Sequence, residues 1–289
     1  MAPAVATMGL RAPYSVFSLS ALGMDPALFL GEFTPHFHAL PWDRYDVKRA
    51  QVMRLIAAFP QEEARLGRFL AAYFADKASL ADVADLIARL PEHEIRLLDA
   101  LQPYRQRAIA HLLLERESNG SWNGHREAVA SFSQTPMAAG DYRALPRVFA
   151  PMAMEVTESP RFHTWLQGMA EQVRQARPEA NRLKVTCHQM RTIARPGVSA
   201  TNSPEGIHQD GADYIVSAMV VEREGVTGGE SRVYDSDKET VLLRHTLQPG
   251  EGLFQADAGS PLWHDVSPVA ASGPSDGVRS LFGLDIRVV

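Results

Sequence analysis

Three residues in the second half of the chain have the types and spacing of an iron site. The segment Ile207-His208-Gln209-Asp210-Gly211 sets a histidine and an aspartate two positions apart. On a β-strand such residues project from one face, so the imidazole and the carboxylate converge on a single point. A third ligand from a distant strand would complete a two-histidine, one-carboxylate facial triad, which suits non-haem Fe(II) and leaves coordination positions open. His264, in Trp263-His264-Asp265-Val266, is the candidate, because it follows the strand-like run GLFQA by a short loop. The chain between the two histidines is long enough for several strands to bring it back to the metal. Taken alone, a His-x-Asp tripeptide also fits a surface loop carrying an ion pair. Arg279 shifts the balance. It opens the last strand-like run on the face opposite Ser280, Phe282, Leu284, Ile286 and Val288. A planar guanidinium there can take the distal carboxylate of 2-oxoglutarate bidentately, which a lysine would do less well.

These residues need strands to hold them, and the sequence supplies a run of them after Asn181. Leu183, Val185, Cys187, Gln189 and Arg191 alternate with Lys184, Thr186, His188 and Met190; YIVSAMVV, ESRVY, TVLLRHTL, GLFQA and SLFGLDIRVV follow, separated by glycine-rich turns. Short strands of this kind suggest a sandwich, barrel or jelly roll. The stretch from about Tyr45 to Glu117 reads differently. Val52, Leu55, Ile56 and Phe59 recur at helical spacing, as do Leu66, Phe69, Leu70 and Tyr73, and Val83, Leu86, Ile87 and Leu90. Pro60, the pair Ser79 and Asp82, and Pro91 mark helix starts, and Pro103 interrupts the last stretch. Ser159-Pro160 opens one more helix, which Pro178 ends. The expected organisation is a segment 1–59, a helical subdomain 60–120 and a catalytic core 121–289.

The order PEGIHQDGADY, GGESRVYD, WHDVSPV, VRSLFGLDI resembles the bacterial 2-oxoglutarate/Fe(II) dioxygenases related to L-isoleucine dioxygenase. His188-Gln189-Met190-Arg191 is similar to an HQ-x-R element that precedes the first ligand in that family. The resemblance runs from about Pro146 to Val289 and leaves the helical stretch unexplained. It implies an α+β fold with a double-stranded β-helix (jelly-roll, cupin-like) core. It also implies Fe(II) on His208, Asp210 and His264, and 2-oxoglutarate anchored by Arg279. With O₂, such enzymes turn 2-oxoglutarate into succinate and CO₂ and usually hydroxylate a substrate C–H, here a free amino acid or amino-acid-like metabolite. Related halogenases carry Gly or Ala where this chain has Asp210, so hydroxylation is expected and halogenation is not.

Around this set, Gln189 and Arg191 share a strand face and are candidates for substrate contact, Arg191 for a substrate carboxylate; a structural hydrogen bond within the sheet is the alternative. Trp263 would wall the pocket or join the core, and Tyr234 has the same two readings. His188 points to the other face and reads as structural. Cys187 reads as packing, His36 and His38 as a surface pair, and His93, His111 and His163 as helical residues outside any constellation.

The bulk properties restrict the alternatives. Apolar residues at 45% and charged residues at 22% describe a globular chain. A net charge of −5 gives no reason to expect nucleic acid as a partner. No apolar run approaches the roughly 20 residues that cross a bilayer, and the opening MAPAVATMGLRAPYSVFSL lacks the basic start of a signal peptide. The single cysteine, Cys187, excludes an internal disulfide and a multi-thiolate zinc site. The expected setting is the cytoplasm, with a small-molecule substrate and no membrane; the helices are expected to build a homodimer or to roof the pocket. Two other readings remain: a cupin-type metal enzyme that does not use 2-oxoglutarate, and a non-catalytic jelly-roll scaffold.

Overall fold

A computed structural model describes residues 13–128, 131–134, 142–201 and 203–289. The opening stretch 1–12 and residues 129–130, 135–141 and 202 lie outside them. The described residues fall into two units, one drawn from 13–41, 106–128 and 150–289, the other from 42–105, 131–134 and 142–149. The chain is mixed helix and mainly antiparallel sheet, an α+β architecture.

The first unit holds β1 (Tyr14–Ser18), α1 (Pro26–His38), β2 (Arg105–Arg116, whose first residue falls to the other unit), β3 (Trp122–Glu127) and β4 (Ala150–Pro151). Then come α2 (Met154–Thr157), α3 (Pro160–Ala176), β5 (Arg182–Ala194), β6 (Tyr214–Glu224), β7 (Val226–Gly228) and β8 (Ser231–Tyr234). It closes with β9 (Val241–His245), β10 (Glu251–Ala256), β11 (Trp263–Val266), β12 (Val269–Ala271) and β13 (Gly277–Val288). The main sheet runs β1-β10-β6-β13-β5-β2-β3, with β4 beside β2; β11-β8-β9 form a second sheet and β12-β7 a third.

Period-two alternation in β13 sorts the main sheet into two faces. Phe282 is fully buried against Phe33 and Phe37 of α1 and Phe162 and Trp165 of α3, at ring distances of 5.8, 4.9, 5.6 and 5.6 Å. Both helices are built for this face. In α1, Phe29, Phe33 and Phe37 recur every fourth residue, and Asp25 caps the start by accepting from the amides of Ala27 and Leu28. In α3, Ser159 is the cap, Pro160 takes the first position, and Phe162, Trp165, Leu166, Met169 and Val173 make the buried stripe. Arg279, Leu281 and Asp285 alternate with these residues and so leave the strand on the other face.

The second unit is helical: Arg44–Ala58, Glu63–Phe74, the short turn Ala84–Ile87, and Glu92–Asp99. Its core is the expected set of stripes, with Val52, Leu55, Leu66, Phe69, Leu70, Val83, Leu86 and Leu90 buried and Ile56, Tyr73 and Ile87 packed at the margin. Ser79 and Asp82 form the capping box. Helix does not continue to Glu117, however. Arg105–Arg116 is β2, and His111 is therefore a strand residue whose Nδ1 lies 3.1 Å from Thr186 Oγ1. The strand is buried along nearly its whole length, so Ala-Ile-Ala-His-Leu-Leu-Leu shows an apolar run instead of the alternation that marks a half-exposed strand. Trp122–Glu127 pairs with it as β3.

Phe282→Ala is expected to lower the unfolding free energy by about 3–5 kcal/mol, as large-to-small changes at filled aromatic sites do. Phe282→Leu should cost less. Urea denaturation monitored by fluorescence checks both.

Candidate metal centre

His208 and His264 are joined through their backbones before their side chains meet anything. The amide of His208 donates to the His264 carbonyl at 2.9 Å, and the amide of His264 returns the bond at 3.0 Å. This reciprocal pair fixes two residues far apart in sequence side by side, with ring centroids 4.4 Å apart. Asp210 completes the group: its Oδ1 is 3.5 Å from His208 Nε2 and its Oδ2 3.3 Å from His264 Nε2. One potential ligand atom from each residue lies within 4.8 Å of the others, so a single cation can bind all three. Burial alone would raise the Asp210 carboxyl, but hydrogen bonds and charge from the two imidazoles hold it well below the usual carboxylate range. Burial opposes charge on His208, yet Asp210 raises it to about 9.

The neighbours orient these groups. His208 Nδ1–H donates to the Gly206 carbonyl at 2.8 Å, so Nε2 is the nitrogen turned to Asp210, and on losing its proton it is the one free to bind a metal. His264 Nδ1 lies 3.4 Å from the Gln255 side-chain amide, whose oxygen is buried without a partner. Turning that amide over lets Oε1 accept from Nδ1–H and again frees Nε2. Asp257, fully buried, accepts from the amides of Asp210, Gly211 and Ala212 at 3.1, 2.7 and 3.0 Å. Gly211, at φ +87°, allows the turn that aims three amides at one carboxylate. Burial and the Asp210 charge push the Asp257 carboxyl up to about 6.

Arg279 is fully buried, and none of its three guanidinium nitrogens has a hydrogen-bond partner. A buried charge-bearing group left in this state calls for an acceptor from outside the chain. An anionic ligand meets that need, and with the three-residue cluster the chain offers one site for a metal and another for a carboxylate.

The other expected site residues fall elsewhere. Gln189 and Arg191 pair with Phe282 and Ser280, on the helix-covered face opposite Arg279, so the alternation that joined them to each other carries both away from it. Arg191 Nε lies 3.6 Å from Glu222, and its Nη1 donates to Gln106. Trp263 is next to His264 in β11 and projects from the other side of that strand; Lys238 Nζ sits 3.6 Å above its ring. His188, read as structural, is on the Arg279 face: its Nδ1 is 2.8 Å from Arg107 Nη2 and its Nε2 3.1 Å from Asp285. Gln255, Asp257 and Arg107 were not anticipated.

The family model for 2OG-Fe dioxygenases matches residues 88–285, most of the chain and all of these positions. The chain belongs to the 2OG-Fe dioxygenase family. It is a 2-oxoglutarate-dependent dioxygenase, and Fe(II), 2-oxoglutarate and O₂ are its reagents. Among solved structures, a bsmA homolog from Methylobium petroleophilum PM1 is similar, with 20% identity and a TM-score of 0.65 over 95% of this chain and 88% of that one. IDO from Bacillus thuringiensis is also similar, with 16% identity and a TM-score of 0.53 over 71% of this chain and 91% of that one. At these identities the likeness is one of fold. No curated protein sequence matches the chain. Among the described residues, no helix is long and apolar enough to cross a membrane.

Gln255→Leu removes the partner of His264 Nδ1 without touching a metal-binding atom. Loss of such a partner commonly costs about 10–100-fold in metal affinity. Calorimetric titration of the metal-free protein with Co(II) should show a weakening in that range.

Proposed function

We propose that His208, Asp210 and His264 hold Fe(II), that Arg279 receives the distal carboxylate of 2-oxoglutarate, and that the enzyme hydroxylates an unactivated C–H of a small substrate. A free amino acid or amino-acid-like metabolite is the substrate class, and succinate and CO₂ are the co-products. The observation that carries this reading is the wholly buried, unpartnered guanidinium of Arg279 in a chain that also gathers a two-histidine, one-carboxylate cluster. Such a guanidinium needs an anionic partner, and the distal carboxylate of 2-oxoglutarate supplies one. A jelly-roll core built on the main and second sheets fits the family and the strand pairing.

When bound, the iron supplies O₂ activation coupled to decarboxylation of 2-oxoglutarate, one oxygen atom going to succinate and the other to substrate as hydroxyl. This chain's residues do the rest. The two imidazoles present Nε2, their Nδ1 sides being occupied by Gly206 and Gln255. Asp210 presents a charged carboxylate, kept in place by Asp257 through the backbone of the turn. Arg279 fixes which end of the cosubstrate faces away from the metal.

On the Arg279 face, Arg107 is held against His188, which is itself held by Asp285. This is the cation that suits a substrate carboxylate, the role the sequence suggested for Arg191. The helical unit contributes no member of the metal-binding cluster among the described residues; its part is proposed to lie in assembly as a homodimer.

The test is a screen of amino acids and derivatives for substrate-stimulated succinate, with mass spectrometry for one added oxygen. His264→Ala should abolish turnover, and full activity in that variant would remove the assignment. Arg279→Ala should raise the 2-oxoglutarate requirement by roughly 30-fold or more, the loss of a buried charge-assisted contact at about 1.4 kcal/mol per decade. An unchanged requirement would place the anchor elsewhere. Arg107→Leu is expected to raise KM for an amino-acid substrate by about tenfold or more on the same scale, while basal succinate formation without substrate continues.

A further inference from the structure

Arg279 does not stand alone. Across the β13–β6 ladder its direct partner is Arg223, so two guanidinium side chains leave neighbouring strands on one face. Like charges directly opposed across a ladder are unfavourable; Arg279 is fully buried, and Arg223 is half-buried. Nη1 of Arg223 is buried without a hydrogen-bond partner, as are all three guanidinium nitrogens of Arg279. Among the described residues no carboxylate forms an ion pair with either side chain; the only influences on Arg279 are burial and the Arg223 charge, which together bring it down to about 10. Burial alone acts on Arg223.

Arg223 is nevertheless aimed. Its Nη2 donates to the Gly228 carbonyl at 2.7 Å, which turns Nη1 inward. Both side chains then pass the backbone at Gly229. A Cβ built on Gly229 would lie 3.1 Å from Arg223 Nη1 and 3.2 Å from both Cδ and Nε of Arg279. The residue sits at φ +66°, a conformation that favours glycine for its own sake. Two cations therefore meet over a backbone stripped of side chain, with donors free on both. A carboxylate has two oxygens and about four lone-pair sites, enough to accept from two forks at once.

We propose that Arg223 and Arg279 together recognise the distal carboxylate of 2-oxoglutarate, Arg223 supplying a second guanidinium to the anchor. The proposal rests on the reading that this cosubstrate binds at Arg279. It makes the site strongly selective for a dicarboxylic 2-oxoacid over its monocarboxylic counterpart, because without the distal carboxylate the buried Arg279 guanidinium and the inward Nη1 of Arg223 stay opposed and without an acceptor.

The experiment uses the full chain loaded with Fe(II) in the absence of O₂. Binding of 2-oxoglutarate and of 2-oxopentanoate, which carries a methyl group in place of the distal carboxylate, is measured by calorimetry. The ratio of the two dissociation constants isolates the distal end, and 2-oxopentanoate serves as the folding control in every variant. Arg223→Ala should shrink the ratio by about tenfold or more and leave 2-oxopentanoate binding in place. Arg223→Lys should recover part of the loss, since an ammonium keeps the charge without the fork. If Arg279→Ala removes the discrimination while Arg223→Ala keeps the wild-type ratio, the second guanidinium is overturned and the anchor stands. If the wild-type chain does not discriminate, or Arg279→Ala leaves the ratio unchanged, the anchor reading fails as well. Should Arg223→Ala bind neither ligand, Arg223→Lys decides: a reduced ratio supports the proposal and a wild-type ratio overturns it.

Discussion

The reciprocal backbone bond between His208 and His264 is the constraint on which the centre depends. Two imidazoles and a carboxylate give up water to assemble, and although Asp210 and the imidazoles stabilise one another, that attraction alone does not fix where the rings lie. The chain solves this by making the assembly a matter of backbone pairing. Once each histidine amide donates to the other's carbonyl, the rings must lie close, whatever their protonation. Asp210 is carried along two residues later, and its position is secured by a different device, the acceptance of three consecutive amides by Asp257. The ligands are thus held by groups that take no part in ligation, a division that lets the geometry survive an exchange of the ion.

Polar groups away from the metal follow the opposite logic. In most of the protein, buried polar atoms are matched: Arg191 finds Glu222 and Gln106, and Glu222 also meets Ser280 and His38. Arg279 and the inward nitrogen of Arg223 are exceptions, and they lie together. Burial of unmatched charge is unfavourable in the resting molecule. The fold tolerates it because β13 and β6 are locked into a wide, continuous sheet with aromatic helices on their other face. Stability is therefore concentrated on one side of the sheet and chemical readiness on the other.

Much of this was legible in the residues. His264 and Arg279 lie in strands as read, and alternation sets the phase of Arg279. His208 and Asp210 do come together, but not on the expected strand: His208 makes only an isolated bridge to His264, and Asp210 lies in the turn that Asp257 holds. The apolar stripes of Val52 to Leu90 were equally plain. What was hidden had physical causes. β2 is covered on both faces, so its alternation vanishes and it imitates helix. Gln189 and Arg191 were linked to each other correctly, but nothing in a single strand says which face turns inward; Phe282, packed under four rings, decides it against them and brings His188 in. Asp257 and Gln255 act only through contacts made across the fold, and one-dimensional spacing carries no trace of such pairs.

One feature of the sheet bears on how the protein comes to exist. β13 follows every other strand in sequence, yet it lies between β5 and β6 near the middle of the main sheet. Until it emerges from the ribosome, β5 and β6 each present an open edge, and the aromatic side chains of α1 and α3 have no Phe282 to close on. The two halves of the sheet wait for their keystone, exposed in the meantime to pairing with the wrong strand. Arg279 arrives on that same strand, so the anchor and the closure of the sheet are delivered in one event. A chain without β13 has neither.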